Sequence, residues 1–208
     1  ADEKGRSPVW LASLNGRTSP RQLTAIDGWM AYFGVPGEVI FAGEEKAAVF
    51  IYRINEDGSD LENVVPNAVV PNGVSPDGQW ISGPGSTLET SNALMVYPVA
   101  GGPAKLICES CFPPQGIDNG PMPSPLSWTP DGKFLHLKYT ASTYAIPLRP
   151  GQMLPPVPAA GFQSKEAVAA LPGARLISEE SVFPGPNPSV YAFMKVTTQR
   201  NIYRVPVP

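Results

Sequence analysis

The chain has 208 residues, of which 26 are proline and 20 glycine, with 42% hydrophobic and 16% charged residues. Proline and glycine together stay just under the range where low complexity is the default, and the apolar share can offset the entropy of ordering a packed domain, which excludes a disordered chain. A net charge of −3 leaves no basic field for phosphates, which excludes nucleic acid and anionic membrane surfaces as partners, and no apolar run of about 18 residues offers a membrane-spanning helix.

The length fits one large all-β domain over residues 1–208. The prolines remove backbone donors and are excluded from helix interiors, and no stretch between them carries a long helical period, so the fold class is strand-rich. Ala1-Asp2-Glu3-Lys4 lacks the apolar core of a signal segment.

In chain order, an aromatic strand at Val9-Trp10-Leu11 runs into an Asn15-Gly16 turn and a further strand at Arg21-Gln22-Leu23-Thr24. Val35-Pro36-Gly37 is a turn feeding Glu38-Val39-Ile40-Phe41, and Ile51-Tyr52-Arg53-Ile54 ends in Asn55-Glu56-Asp57-Gly58. Ser75-Pro76-Asp77-Gly78 precedes Gln79-Trp80-Ile81-Ser82. Val96-Tyr97-Pro98-Val99 then meets Gly101-Gly102 and a strand at Ala104-Lys105-Leu106-Ile107. Thr129-Pro130-Asp131-Gly132 precedes Lys133-Phe134-Leu135-His136-Leu137, followed by Thr143-Tyr144-Ala145-Ile146. Leu171-Pro172-Gly173 is a further turn before Ala174-Arg175-Leu176-Ile177, and Ile202-Tyr203-Arg204-Val205 is the last aromatic strand. Pro-Asp-Gly is a turn with a mechanism: proline presets φ, aspartate bonds nearby backbone, and glycine accepts positive φ.

The strand aromatics fall at 10, 52, 97, 144 and 203, at intervals of 42, 45, 47 and 59. Intervals in the forties are those of a four-stranded propeller blade. The expected fold is therefore an all-β β-propeller of about five four-stranded units. The first and last aromatic strands both read as the third strand of a unit, which leaves a closed small ring and the C-terminal part of a larger propeller both open.

The pairing of a Ser/Thr-Pro-Asp-Gly strand with a later Ile-Tyr hairpin ending in Asp-Gly resembles the WD40-like repeat of TolB-type bacterial β-propellers. The units around 75–107 and 128–148 carry the turn cleanly. Thr197-Thr198-Gln199-Arg200-Asn201-Ile202-Tyr203-Arg204 resembles the closing strands of extracytoplasmic propellers at the C-terminus of bacterial membrane serine/threonine kinases. These resemblances imply a non-catalytic binding or sensing module outside the cytoplasm, without membrane insertion of its own, whose partner is a protein or small ligand. The alternative is an accessory propeller of a serine peptidase or other hydrolase whose catalytic domain lies elsewhere.

No catalytic constellation accompanies the repeats, and no cofactor is expected. Cys108-Glu109-Ser110-Cys111 has the spacing of a redox pair or half a zinc site. A zinc site needs further ligands, and Phe112-Pro113-Pro114 disfavours the helix that a redox motif should open. A small-loop disulfide is favoured outside the cytoplasm, with two reduced, packed cysteines as the alternative. The oxygen-rich run Asn55–Glu62 departs from the helix-flanked calcium loop and reads as a hairpin. His136 reads as half-buried in its strand, with no nucleophile or orienting carboxylate nearby in the sequence. Trp10, Tyr52, Tyr97, Trp29, Trp80 and Trp128 read as mostly core by periodicity. The expected contact surface combines Asp77 and Asp131 on equivalent turns, Met122 in the long proline-rich loop 112–130, and Trp29 and Tyr32 in an irregular aromatic cluster.

Overall fold

The two Ser/Thr-Pro-Asp-Gly turns close through the same set of hydrogen bonds. The Ser75 hydroxyl donates to Asp77 Oδ1 at 2.5 Å and accepts from the Trp80 N–H at 2.9 Å, while Asp77 Oδ1 also accepts from the Gln79 N–H at 3.1 Å. Thr129, Asp131, Lys133 and Phe134 repeat this at 2.7, 3.0 and 3.1 Å. Each turn thereby satisfies its own backbone donors and launches a strand in a fixed direction.

The computed structural model describes residues 7–45, 48–65, 70–87, 90–111, 124–179, 182–185 and 189–193. Strands β6 (Gly73–Val74), β7 (Trp80–Pro84), β8 (Leu94–Pro98) and β9 (Lys105–Cys108) form one antiparallel meander. Strands β10 (Leu126–Trp128), β11 (Phe134–Tyr139), β12 (Ser142–Pro147) and β13 (Arg175–Ile177) form another in the same order. Ahead of them stands a five-stranded sheet of β1 (Pro8–Leu11), β2 (Arg21–Phe33), β3 (Glu38–Glu45), β4 (Ala48–Asn55) and β5 (Glu62–Val65); behind them is a hairpin of β14 (Val182–Pro184) and β15 (Tyr191–Phe193).

The sheets stack face to face because alternation gives each strand two buried faces. Ile40 and Ile51 meet Ile81, Tyr97 and Val99 between the first and second sheets. Leu94, Val96 and Ile107 meet Leu135, Leu137, Tyr144 and Ile146 between the second and third. Ala145 and Ile177 meet Val182 and Tyr191 between the third sheet and the last hairpin. The sheets touch in series through β2 to β6, β6 to β10 and β10 to β14, β1 lying outside β2 at the edge of the first sheet. Four-stranded meanders joined along their first strands are the blades of a β-propeller.

The Trp10 strand departs from its expected place as the third strand of a separate unit. It is β1, paired with the N-terminal half of the 13-residue β2, and β2 slips register between Trp29 and Tyr32, where Met30 has φ of 52°. The β1–β2 hairpin lies across the first sheet and buries Val9 and Leu23 against Val39, Phe41, Tyr52 and Ile54. Because neighbouring side chains on a strand point to opposite faces, seating Val9 inward turns Trp10 outward, where it is 55% exposed. Trp29, at 38% exposure, is likewise not core, and Trp80 is half-buried, whereas Tyr52, Tyr97 and Trp128 are buried.

Between β12 and β13 the chain leaves its sheet for residues 148–174 and crosses to the second sheet. The Phe162 N–H donates to the Ile107 carbonyl at 2.7 Å, and Phe162 and Val168 enter the core between the second and third sheets. The helix α1 (Lys165–Ala169) is capped by the Ser164 hydroxyl, which accepts from the Ala167 N–H at 3.2 Å. Among the described residues no helix is long and apolar enough to cross a membrane.

Candidate functional site

The crossover segment walls a groove of about 540 Å³ on the rim where the Asp77 turn lies. One side is the start of the second sheet's strands: Asp77, Gln79, Trp80 and Lys105. The other is the crossover: Arg149, then Gly151 to Val157. Trp80 opens β7 and pairs with Pro98, while Lys105 opens β9 and pairs with Val96. Pro98 and Val96 are two residues apart on β8, so Trp80 and Lys105 project from one face of the sheet, toward the third sheet. The Lys105 ammonium sits 4.7 Å from the Trp80 ring centroid, a cation–π distance. The opposite wall is held in place from beneath: the Trp128 Nε1–H donates to the Met153 carbonyl at 2.6 Å, and Pro155 is buried.

Asp77 lines the groove, yet its Oδ1 is engaged by Ser75 and Gln79. Asp131 occupies the equivalent turn of the third sheet, outside the groove lining, with Lys133 Nζ at 3.4 Å. The Thr129 hydroxyl, ahead of the Lys133 N–H, holds the Asp131 carboxyl below the usual carboxylate range. Trp29 and Tyr32 belong to β2 of the first sheet and do not line the groove; the Tyr32 hydroxyl lies 3.4 Å from the Pro71 carbonyl. Met122 lies outside the described residues, as does most of the loop 112–130. The groove therefore joins one expected contact residue, Asp77, to residues that the sequence reading treated as strand or left unassigned. The signal that could have found the crossover is the last aromatic interval of 59 against 42 to 47 for the others.

The other polar groups of interest, Asp57, Tyr97 and His136, are hydrogen-bonded or enclosed. Asp57 Oδ1 accepts from the Ser59 N–H at 2.8 Å and the Ser59 hydroxyl at 2.6 Å, so the run Asn55–Glu62 is an internally bonded hairpin. The Tyr97 hydroxyl donates to the Pro84 carbonyl at 2.6 Å, and burial pushes its pKa up to about 12. His136 is 2% exposed rather than half-buried, and both its ring nitrogens lack a hydrogen-bond partner. It faces Ser127 across the β10–β11 pair, and the Ser127 hydroxyl is also unpartnered. Burial pulls the His136 imidazole below its ordinary pKa. Cys108 and Cys111 are joined sulfur to sulfur, with Cα atoms 5.8 Å apart, and both are buried. Among the described residues no group of three or more His, Cys, Asp or Glu side chains could hold a metal ion.

Antiparallel meanders that face one another in series, two of them four-stranded, define the fold as of the β-propeller type. The structure is similar to a TolB from Agrobacterium tumefaciens, at 18% identity and a TM-score of 0.46 over 73% of this chain and 50% of that one. It is also similar to a chain of a nidogen/laminin complex, at 17% identity and a TM-score of 0.43 over 68% of this chain and 52% of that one. A third likeness is to an oligogalacturonate lyase in complex with manganese, at 21% identity and a TM-score of 0.44 over 62% of this chain and 36% of that one. The chain spans about half the length of the first two structures and little over a third of the last. No protein-family model matches the sequence, and no curated protein matches it.

Proposed function

We propose that this chain is a non-catalytic binding module that receives a ligand in the groove between the Asp77 turn and the crossover segment. We further propose that it serves outside the cytoplasm as the sensing part of a receptor-like chain, of the kind formed by bacterial membrane serine/threonine kinases. The groove carries the binding role, because it combines an aromatic face, cations and apolar walls in a volume that suits a small or extended ligand. The chemistry of its lining supports binding over catalysis. It holds no nucleophile paired with a base, and the one histidine is enclosed elsewhere. The Cys108–Cys111 bond supports an oxidising compartment. The kinase association rests on the resemblance of residues 197–206, which lie outside the described residues.

The test is a thermal-shift and binding screen of peptides, glycans and small acids against the wild-type chain and the K105A and R149A variants. The expected result is a ligand that shifts the wild-type transition and loses affinity in both variants. A ligand bound equally by all three proteins, or turnover of any peptide, ester or glycan by the purified chain, would overturn the reading.

A further inference from the structure

We propose that the groove takes an extended acidic peptide, with a carboxylate received by Lys105 and Arg149 and an adjoining apolar side chain laid on the Met153–Pro156 wall. This rests on the groove being the binding site.

Charge supports the assignment. The whole chain carries a net −3, yet the groove lining holds two cations, Lys105 and Arg149, against one carboxylate, Asp77. That carboxylate is already an acceptor for Ser75 and Gln79. Arg53 is paired with Glu38 and Glu62, and Lys133 with Asp131. Among the described residues neither Lys105 nor Arg149 is ion-paired with a carboxylate. Two cations lining one hollow of an acidic protein attract an anion locally, and an anion bound between them relieves their mutual repulsion. The cation–π contact with Trp80 holds the Lys105 ammonium in the groove before any ligand arrives, so less side-chain entropy is lost on binding.

The shape favours a peptide. The far wall, Met153-Leu154-Pro155-Pro156-Val157, is apolar over five consecutive residues, and its two prolines fix the backbone and remove donors. An acidic sugar would present hydroxyls to that wall, and each would lose water without a partner. A peptide can alternate a carboxylate toward the cations with an apolar side chain toward the wall, because successive side chains of an extended chain point to opposite sides. Nucleic acid is disfavoured by the net charge, since two cations neutralise too few phosphates to hold a polyanion on an acidic surface.

The experiment is fluorescence anisotropy on the full chain with a labelled eight-residue peptide of alternating glutamate and leucine. Its glutamine–leucine counterpart and a trimeric uronate serve as comparison probes. The expected result is saturable binding of the glutamate peptide, weakened at least tenfold for the glutamine peptide and at least tenfold by K105E or R149E. Both residues are exposed, and circular dichroism of each variant controls for folding. Binding of the uronate without the glutamate peptide would overturn the peptide assignment. Equal binding of the glutamate and glutamine peptides, with loss in the P156E wall variant, would overturn the acidic class while leaving the groove as the site. Binding of the glutamate peptide unaffected by K105E, R149E and P156E would overturn the groove reading itself.

Discussion

The indole N–H of Trp128 donates to the carbonyl of Met153 at 2.6 Å, joining the first strand of the third sheet to a crossover residue 25 positions later. This bond ties the apolar wall of the groove to the core beside the packing of Met153, Leu154 and Val157, because Trp128 is buried between the second and third sheets. Replacing Trp128 by phenylalanine keeps the ring and leaves the Met153 carbonyl unpaired. The expected cost is about 1–3 kcal/mol of folding stability, read by denaturant unfolding, with faster amide exchange over residues 149–157. Unchanged exchange in that segment would show that the wall is held by other contacts.

The turns of the first two sheets touch at Gly78. It has φ of 68°, and a Cβ there would stand 2.6 Å from the Val35 nitrogen, whereas at Gly101, with φ of 83°, the space is open. Gly101→Ala meets only the left-handed backbone penalty of about 1 kcal/mol, while Gly78→Ala adds a clash with another sheet's backbone. Thermal unfolding of the two variants should place G78A clearly below G101A. Equal midpoints would mean that the turns are not in contact.

His136 gives the folded chain a defined pH response. Its pKa is held below the ordinary value of 6.5 by burial, so as pH falls the unfolded chain takes up a proton that the folded chain refuses. The stability contributed by neutral His136 is complete above about pH 6.5 and is lost on acidification below it. H136L removes the titration and two unpartnered nitrogens. It should match or exceed the wild type at pH 7.5 and gain on it progressively toward pH 5. A stability difference that stays constant over that range would refute the assignment.

The Cys108–Cys111 bond ties the end of β9 to a residue packed between the second and third sheets. For so short a loop the chain-entropy contribution is about 2 kcal/mol. Protein exported to the periplasm should take up no alkylating reagent under denaturing conditions until a reductant is added, and reduction should lower its unfolding midpoint. Alkylation of both thiols without reductant would remove this argument for an oxidising compartment.

Much of the fold was legible because its signals are local. The Pro-Asp-Gly turns at Asp77 and Asp131 satisfy their own backbone within six residues, and the aromatic strands at Tyr52, Tyr97 and Tyr144 repeat at one blade's length. Those patterns depend on turn chemistry and side-chain alternation, which act between near neighbours. The outward placement of Trp10 was not legible, since period-2 alternation makes one residue of the Val9–Trp10 pair face out without saying which.

The groove was less legible still. By itself the sequence determined the strand-rich class, the blade length and the two matching turns, all of which follow from contacts a few residues apart. Only the tertiary structure decided that residues 148–174 leave their own sheet, seat Phe162 against Ile107 and bring Arg149 and Met153 alongside Trp80 and Lys105. The physical reason is that this placement depends on a shared apolar core between two sheets, whose contributing residues run from Leu94 to Val168. Contacts across such separations leave no period in the chain.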